Sequence, residues 1–297
     1  MPSTNHRRPG SEDDLRSWLE NMVWYHHFGD EEIIAATGLT YTEVSQARSD
    51  FMITVNNRPP RPADAPLLVL PYPGGRHPRV QLQEKALNPQ RDTKVSIFAP
   101  WDPSSYAVLD LPEALSCNLG LLYLAHSYEP TLWTRMGVPL EPLEWRRLEK
   151  GALEMERTLP NGVRFGARVT PTREAAQLEF WVVNGTEKPL TGLRPRICTL
   201  LKGLSGFEHL TNDNKQFPSP FAACRSSQPN RWVLTAWERP QKLWGDPSCP
   251  CLHADPHLPE CAPGETQRVR GWLSFYEGSD TTSEIRRIST SGWLRPE

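Results

Sequence analysis

The densest group of potential metal ligands lies in the segment CPCLHADPHLPEC, residues 249–261. Its candidate ligands are Cys249, Cys251, His253, Asp255, His257 and Cys261. The first five recur at every second position, so an extended strand would project them to one side. Thiolate, imidazole and carboxylate groups are ligands that zinc and iron accept. The segment predicts a zinc or iron site. The alternative is a proline-stiffened loop, in which a three-fold polyproline turn spoils the common face and the cysteines pack or pair as a disulfide.

Two further residues are candidates for acid/base catalysis. His126 follows the apolar run LGLLYLAH, residues 119–126, and Glu129 is close to it in sequence. An imidazole beside a carboxylate can transfer protons near neutral pH. Glu277, at the end of the last long strand, is the candidate carboxylate. The competing interpretation of both residues is ordinary loop and turn structure.

Two short stretches and four tryptophans could bind a polyhydroxylated or anionic substrate. In PYPGGRHPR, a Gly-Gly turn presents Arg76 and His77 as a cationic clamp. The stretch lacks the strand, glycine, lysine and helix order of a phosphate-binding loop, so we expect no nucleotide cofactor. Asn214 and Lys215 offer an amide and an ammonium group that suit sugar hydroxyls. Indoles that could stack on sugar rings are those of Trp101, Trp133, Trp237 and Trp244. Turn formation and core packing are the alternative interpretations.

The surrounding sequence predicts mainly β structure. The chain has 297 residues, of which 30 are proline and 11 are tryptophan. This much proline argues against a helical bundle, because proline interrupts helical hydrogen bonding. Short apolar or alternating runs follow one another from residue 67 onward, and Pro160-Asn161-Gly162 is typical of a hairpin turn. We therefore predict a large antiparallel β-sandwich over residues 67–297.

The first 55 residues have a different character. Ser11 followed by three acids predicts the start of a first helix, and two shorter helices are predicted on either side of Gly38. The three helices together form a trihelical appendage. A proline-rich linker, residues 56–66, joins it to the sandwich. DEEIIAATGLTYTEVSQA is similar to a helix-turn-helix. However, residues 1–55 contain four arginines and nine acids, a net charge of −5 that is unfavourable for DNA binding. We favour a cap that packs on the sandwich or mediates association, which leaves homo-oligomer formation open.

Charge and cysteine content limit the partners and the compartment. The 33 basic and 35 acidic side chains give a net charge of −2, so no strong field attracts nucleic acid or a membrane surface. The sequence shows no apolar run long enough for a membrane span and no signal peptide. Six cysteines in that setting predict reduced thiols and a cytoplasmic location.

Several stretches together resemble galactose mutarotase-like proteins: LPNGVRFGARVTP, LEFWVVNGTEKPLTGLRPRIC and APGETQRVRGWLSFYEG. The resemblance covers about half the chain and implies a supersandwich that binds a sugar on a broad concave sheet. His126 and Glu277 would parallel that family's acid/base pair. The cysteine-histidine segment is not part of the family pattern.

The function predicted from these features is a carbohydrate-active protein. It is an enzyme that uses acid/base chemistry on a sugar or sugar derivative, with a metal as a further option. The alternatives are a ligand-responsive helix-turn-helix regulator and a sugar-binding or scaffold module without catalysis.

Overall fold

The computed structural model describes residues 6–76, 91–125, 129–228 and 230–293. Within them the chain is mainly β, with a small helical group at the N-terminus, which confirms the predicted fold class. The α-helices are α1 (Glu12–Glu20), α2 (Asp30–Thr37), α3 (Tyr41–Asp50), α4 (Leu132–Arg135) and α5 (Thr281–Thr290). A π-helical turn, Asn21–Tyr25, continues α1, and a 3-10 turn spans Glu149–Gly151.

The strands form two antiparallel sheets. The seven-stranded sheet contains β1 (Val69–Pro71), β2 (Lys94–Phe98), β3 (Tyr106–Cys117), β4 (Gly120–Leu124), β9 (Arg194–Leu200), β13 (Pro240–Trp244) and β14 (Cys251–Pro256). Its order is β1-β2-β3-β9-β14-β13, and β4 pairs with the far end of β3. Two pairs of neighbours, β3 with β9 and β9 with β14, therefore come from distant parts of the chain.

The second sheet has eight strands. They are β5 (Arg146–Arg147), β6 (Leu153–Thr158), β7 (Arg164–Pro171), β8 (Ala175–Val183), β10 (Lys215–Gln216), β11 (Phe221–Arg225), β12 (Arg231–Trp237) and β15 (Thr266–Glu277). The order is β10-β11-β12-β15-β8-β7-β6-β5. The predicted Asn-Gly hairpin joins β6 to β7, where Thr158 pairs with Arg164 and Gly162 has a φ of 88°. Glycine adopts this left-handed conformation without the steric cost of a side chain.

The main core lies between the two sheets. Alternate residues of each strand contribute to it, for example Ile97 and Leu109 from one sheet and Phe165 and Phe180 from the other. The intervening residues of the seven-stranded sheet therefore point to its opposite face, which we call the outer face. The outer face carries the polar and titratable side chains described below.

The N-terminal helices have their own apolar core, which includes Leu19, Met22 and Ile33, and they contact the outer face of the seven-stranded sheet. His26 is buried against that face. Its Nδ1 hydrogen-bonds the carbonyl of Asn21, and its Nε2 lies 2.7 Å from the Ser96 hydroxyl. The helical group is thus attached to the sheet by hydrogen bonds as well as apolar contacts. Its predicted division from the sandwich as a separate domain stays a prediction.

Two other segments complete the description. Residues 56–66, all of which are described, contain no helix or strand, as their prolines predict. Ile288 of α5 packs beside Trp232 and Trp272, on the face of the eight-stranded sheet that points away from the main core. No helix within the described ranges is both long and apolar enough to cross a membrane.

Candidate functional site

A row of polar and titratable side chains crosses the outer face of the seven-stranded sheet. The strand register pairs Lys94 with Asp110, Asp110 with Cys198, Cys198 with His253, and His253 with Trp244. The row therefore runs across β2, β3, β9, β14 and β13. Lys94 and Asp110 are fully buried, and Lys94 Nζ lies 3.0 Å from Asp110 Oδ1. Burying charged groups is costly, so such a row is a candidate functional site.

A cluster of thiols and one imidazole lies in the middle of this row. One ligand atom from each of Cys198, Cys251 and His253 can be chosen so that all three lie within 4.8 Å of one another, and all three residues are buried. The thiol of Cys249 also contacts Cys251. All six cysteines lie within the described residues, and none forms a disulfide. The cluster could hold a metal ion.

The contacts within the cluster shift the pKa values of Cys251 and His253. Hydrogen bonds from the thiols of Cys198 and Cys249 hold the pKa of Cys251 well below its usual range, against the opposing effect of burial. Burial disfavours the charged form of His253, but interactions with Asp255 and Cys251 outweigh it and raise the pKa of His253 to about 9. The protein therefore favours a Cys251 thiolate beside a His253 imidazolium, and a thiolate is the form that binds metals.

Asp255 and Trp244 connect the cluster to solvent. The Trp244 indole stacks on the His253 ring with centroids 3.8 Å apart. Asp255 accepts hydrogen bonds from the backbone N–H of Ile197 at 2.9 Å and from Trp244 Nε1 at 2.8 Å. Asp255 Oδ1 is 3.8 Å from His253 Nδ1, an ion-pair distance. Within the described residues, His253 Nδ1 has no hydrogen-bond partner.

A pocket of about 520 Å³ opens beside the cluster on the same face of the sheet. Its lining includes Asp255 and Trp244, the two side chains that contact the cluster through His253. The other charged lining residues are Glu129, Arg194, Arg196 and Lys242. The volume falls within the roughly 300–1,000 Å³ that is usual for small-molecule sites.

The predicted metal ligands separate in space. As the alternation predicted, Cys251, His253 and Asp255 share the outer face, whereas Leu252 and Ala254 enter the main core. His257 lies beyond the end of β14 and is exposed. Cys261 is buried in the main core, and its backbone pairs with Leu190. The structure therefore brings only part of the segment together.

Arg76 lies at the junction of the helical group and the sheet. It forms a paired ion contact with Glu32, at 2.6 Å and 2.9 Å, and stacks over Phe28. It also donates to the Tyr106 hydroxyl at 3.2 Å. These contacts give it a structural task, and its role in substrate binding stays a prediction. Two other predicted residues, His77 and His126, lie outside the described residues.

Two predicted residues meet at one end of the eight-stranded sheet. Glu277 accepts a hydrogen bond from Arg231 at 3.0 Å, and the Arg231 guanidinium lies over the Trp101 ring. Trp101 also packs edge-on against Phe275. This group belongs to the other sheet, and the pocket beside the cluster contains none of these residues.

The remaining predicted residues have structural contacts. Trp237 is fully buried in the main core. Lys215 is also buried, and its Nζ donates to the Thr211 carbonyl and to Asn212 Oδ1. Asn214 donates to the Arg225 carbonyl at 3.1 Å. Their predicted contacts with a sugar stay predictions.

Several residues of the site carried no local signal in the sequence. Cys198 joins the cluster because β9 pairs with β14, although more than fifty positions separate it from Cys251. Lys94 and Asp110 enter the row through β2 and β3 in the same way. Glu129, whose sequence signal is only its closeness to His126, lines the pocket.

No family model and no curated protein sequence matches the chain. Among solved structures, one described as a kojibiose phosphorylase from human microbiome has a TM-score of 0.39 and 9% identity, and the match covers 75% of this chain and 29% of that one. One described as an aldose 1-epimerase from Escherichia coli K12 has a TM-score of 0.37 and 13% identity, covering 59% and 85%. A heparan sulfate lyase HepC mutant from Pedobacter heparinus has a TM-score of 0.37 and 8% identity, covering 95% and 44%.

The chain thus spans under a third of the length of the kojibiose phosphorylase. At TM-scores this low, none of these structures assigns a function to the chain.

Proposed function

We propose that the chain is a carbohydrate-active enzyme whose sugar lies in the pocket on the outer face of the seven-stranded sheet. One observation carries the proposal: Asp255 and Trp244 line this pocket and also contact the buried His253. A titratable cluster that contacts a pocket of small-molecule size is the arrangement expected of an active site.

Two carboxylates of the pocket supply the acid/base chemistry. Glu129 is exposed, and Asp255 is fixed by the backbone of Ile197 and the indole of Trp244. One carboxyl can donate a proton while the other accepts one, as sugar ring opening or bond cleavage requires. In this proposal Glu129 and Asp255 take the carboxylate role that the sequence suggested for Glu277. Glu129 belongs to the segment predicted around His126, because it lies three residues after that histidine.

Cys198, Cys251 and His253 would hold a zinc ion. The thiol of Cys249, which contacts Cys251, would be the fourth ligand. Two sulfurs and an imidazole suit zinc. When bound, zinc would polarise a nearby oxygen or fix the ligand-bearing strands. The chain's own part is to supply the Cys251 thiolate, which its low pKa favours, and a neutral His253, which must lose its proton to bind the metal.

The catalytic proposal is tested by exchange NMR. The measured rate is the interconversion of the two anomers of D-galactose and, in a separate sample, of the two anomers of D-glucose. We expect wild type to accelerate it, and Glu129→Gln and Asp255→Asn to abolish the acceleration. Glu277→Gln is the matched control, because Glu277 lies outside the pocket. Acceleration that survives in both pocket variants and is lost in the control would contradict the assignment. Absence of both turnover and sugar binding in folded wild type would overturn the proposed function.

The metal proposal has a separate test, the metal content of protein purified without a metal-binding tag. We expect near-stoichiometric zinc in wild type, which is lost in Cys198→Ser and in His253→Ala. Cys261→Ser should keep it, because Cys261 packs in the main core. Metal-free wild type after reconstitution with zinc would show that the thiol cluster is structural.

A further inference from the structure

A second cavity lies at one edge of the sandwich, between the two sheets. The edge strands there are β1 of the seven-stranded sheet and β5 of the eight-stranded sheet. β1 has three residues and β5 has two, and the space between these short edges is an open groove of about 570 Å³. We call it the edge groove. Among the described residues, it shares no lining side chain with the pocket beside the thiol cluster.

The floor of the edge groove is apolar. Leu67, Val69 and Leu153 line it and also belong to the main core between the sheets. Leu148, which follows β5, is half-buried and adds apolar surface to one wall. Apart from three cations, every described lining residue is apolar or glycine. A ligand group that enters the groove must therefore be apolar as well, because a polar group would lose its hydrogen bonds to water there.

The rim of the edge groove is positively charged. The cations are Arg61, Arg147 and Lys150, all of them exposed, and no carboxylate is among the described lining residues. Arg61 donates to the Pro66 carbonyl at 2.6 Å. Arg147 and Lys150 form no ion pair in the part of the chain that the structure describes. Glu149 lies between Leu148 and Lys150 in sequence but does not line the groove. The rim therefore suits an anionic group.

A closed turn holds the cationic side of the rim in place. The backbone N–H of Leu148 donates to the Ala152 carbonyl at 2.8 Å, which closes the turn between β5 and β6. Lys150 and Gly151 both have left-handed backbone conformations within it, with φ of 57° and 77°. This conformation is uncommon for a lysine, and a strained position of this kind is a reason to look for a function. A rim on a fixed turn also lowers the ordering cost of binding.

We propose that the edge groove binds a small amphiphilic anion, a medium-chain fatty acid. Its alkyl chain would lie between the sheets on Leu67, Val69 and Leu153, and its carboxylate would lie at the rim beside Arg147 and Lys150. The chain gains free energy with the apolar area that it removes from water, and the exposed cations add a smaller contribution.

An added β-strand from a second copy is the less favourable occupant. β1 and β5 offer only three and two residues for backbone pairing, which is little for a strand that joins a sheet edge. The proposal goes beyond the proposed sugar function and does not depend on it, because the two cavities have different linings.

The test is isothermal titration of the full chain with decanoate, butyrate, 1-decanol and decyltrimethylammonium, each below the concentration at which it aggregates. Decanoate should bind at least about tenfold more tightly than butyrate, because the shorter chain buries less apolar surface. It should bind about twofold or more tightly than 1-decanol, the size expected for exposed charges. The decyltrimethylammonium cation should bind more weakly than 1-decanol, because the rim repels it.

Variants and a crosslinking probe assign the binding to residues. Arg147→Gln combined with Lys150→Gln should lower the affinity for decanoate to that for 1-decanol, and Leu148→Asp should abolish binding of both. Lys202→Gln, an exposed lysine outside the groove lining, is the matched control and should change neither. A decanoate that carries a diazirine at its chain end should label peptides from residues 66–71 or 147–153 of the wild-type protein, which needs no variant to fold.

Equal affinity for decanoate and 1-decanol, or labelling confined to other peptides, would overturn the proposal. Self-association of wild type that Leu148→Asp abolishes would assign the groove to a second copy and would also overturn it. None of these outcomes affects the proposed sugar function, because the variants that test it lie in the other pocket.

Discussion

The indole of Trp244 lies flat on the imidazole of His253, with an angle of 12° between the rings, and donates a hydrogen bond to Asp255 two residues along β14. One side chain from β13 therefore fixes two neighbouring functional groups. Because Trp244 also lines the pocket, it joins the pocket to the buried His253, as Asp255 does.

The two contacts of Trp244 can be separated by substitution. Trp244→Phe keeps a ring on His253 and removes the donor to Asp255, which should cost about 1.5–3 kcal/mol of unfolding free energy for a bond to a charged acceptor. Trp244→Ala also loses the ring contact, worth a further ~0.5–1.5 kcal/mol or more. Denaturant unfolding measures both variants. Equal stability of the two would show that the stacking contributes nothing.

Removal of metal should lower thermal stability through the thiol cluster. Structural zinc sites contribute directly to folding free energy, so a chelator should lower the Tm of wild type. The same chelator should leave the Tm of Cys198→Ser unchanged, because that variant has lost a ligand. Differential scanning calorimetry makes the comparison. An equal decrease in both proteins would mean that the chelator acts elsewhere.

The pair Lys94 and Asp110 is expected to be sensitive to loss of one partner. Both side chains have zero exposure, so Lys94→Met leaves a carboxylate buried without its ammonium partner. We expect a cost of roughly 3–5 kcal/mol in unfolding free energy. Arg164→Gln, which breaks the exposed ion pair with Glu156, should cost about 1 kcal/mol or less. Similar costs for the two variants would contradict the burial argument.

His26 should make the protein sensitive to mild acid. Burial lowers the pKa of His26 from 6.5 to about 3, so the folded state keeps the ring neutral while the unfolded chain binds a proton below pH 6.5. Stability is therefore fully present above pH 6.5 and is lost as pH falls towards 3. Relative to His26→Gln, wild type should lose about 1.4 kcal/mol per pH unit in this interval. Parallel stability curves for the two proteins would show that His26 does not contribute.

Gly271 of β15 should not accept a side chain. A Cβ there would lie 2.6 Å from the Trp237 indole, which is fully buried in the main core. Gly271→Ala should therefore destabilise by roughly 1–3 kcal/mol through overpacking. Gly29→Ala is the control, since nothing lies within 4 Å of a Cβ at that position. Urea unfolding of both variants is the measurement.

Local patterns predicted the fold better than the site. The Asn-Gly hairpin, the Ser11 helix start and the alternation of Cys251, His253 and Asp255 are all decided by neighbouring residues, and the structure shows each of them. His257 and Cys261 lie away from the other predicted ligands. The alternation that was used to predict them applies only within β14, which ends at Pro256.

The missing members of the site come from strand pairing. Cys198 stands in an ordinary alternating run, and only the register with His253 gives it a chemical partner. Lys94 and Asp110 each follow an unremarkable strand pattern, and their contact depends on the pairing of β2 with β3. Pairing between strands distant in sequence leaves no mark in one local stretch, so composition and spacing could not place these residues.

The row from Lys94 to Trp244 is assembled from five strands that span residues 94 to 256. The shortest stretch that contains the whole row runs from Lys94 to His253. A chain still emerging from the ribosome therefore lacks the site until β14 has been synthesised and has paired with β9. Contacts this far apart in sequence form late because the loops between them must close first. The complete row is thus present only in a chain that has completed the sheet.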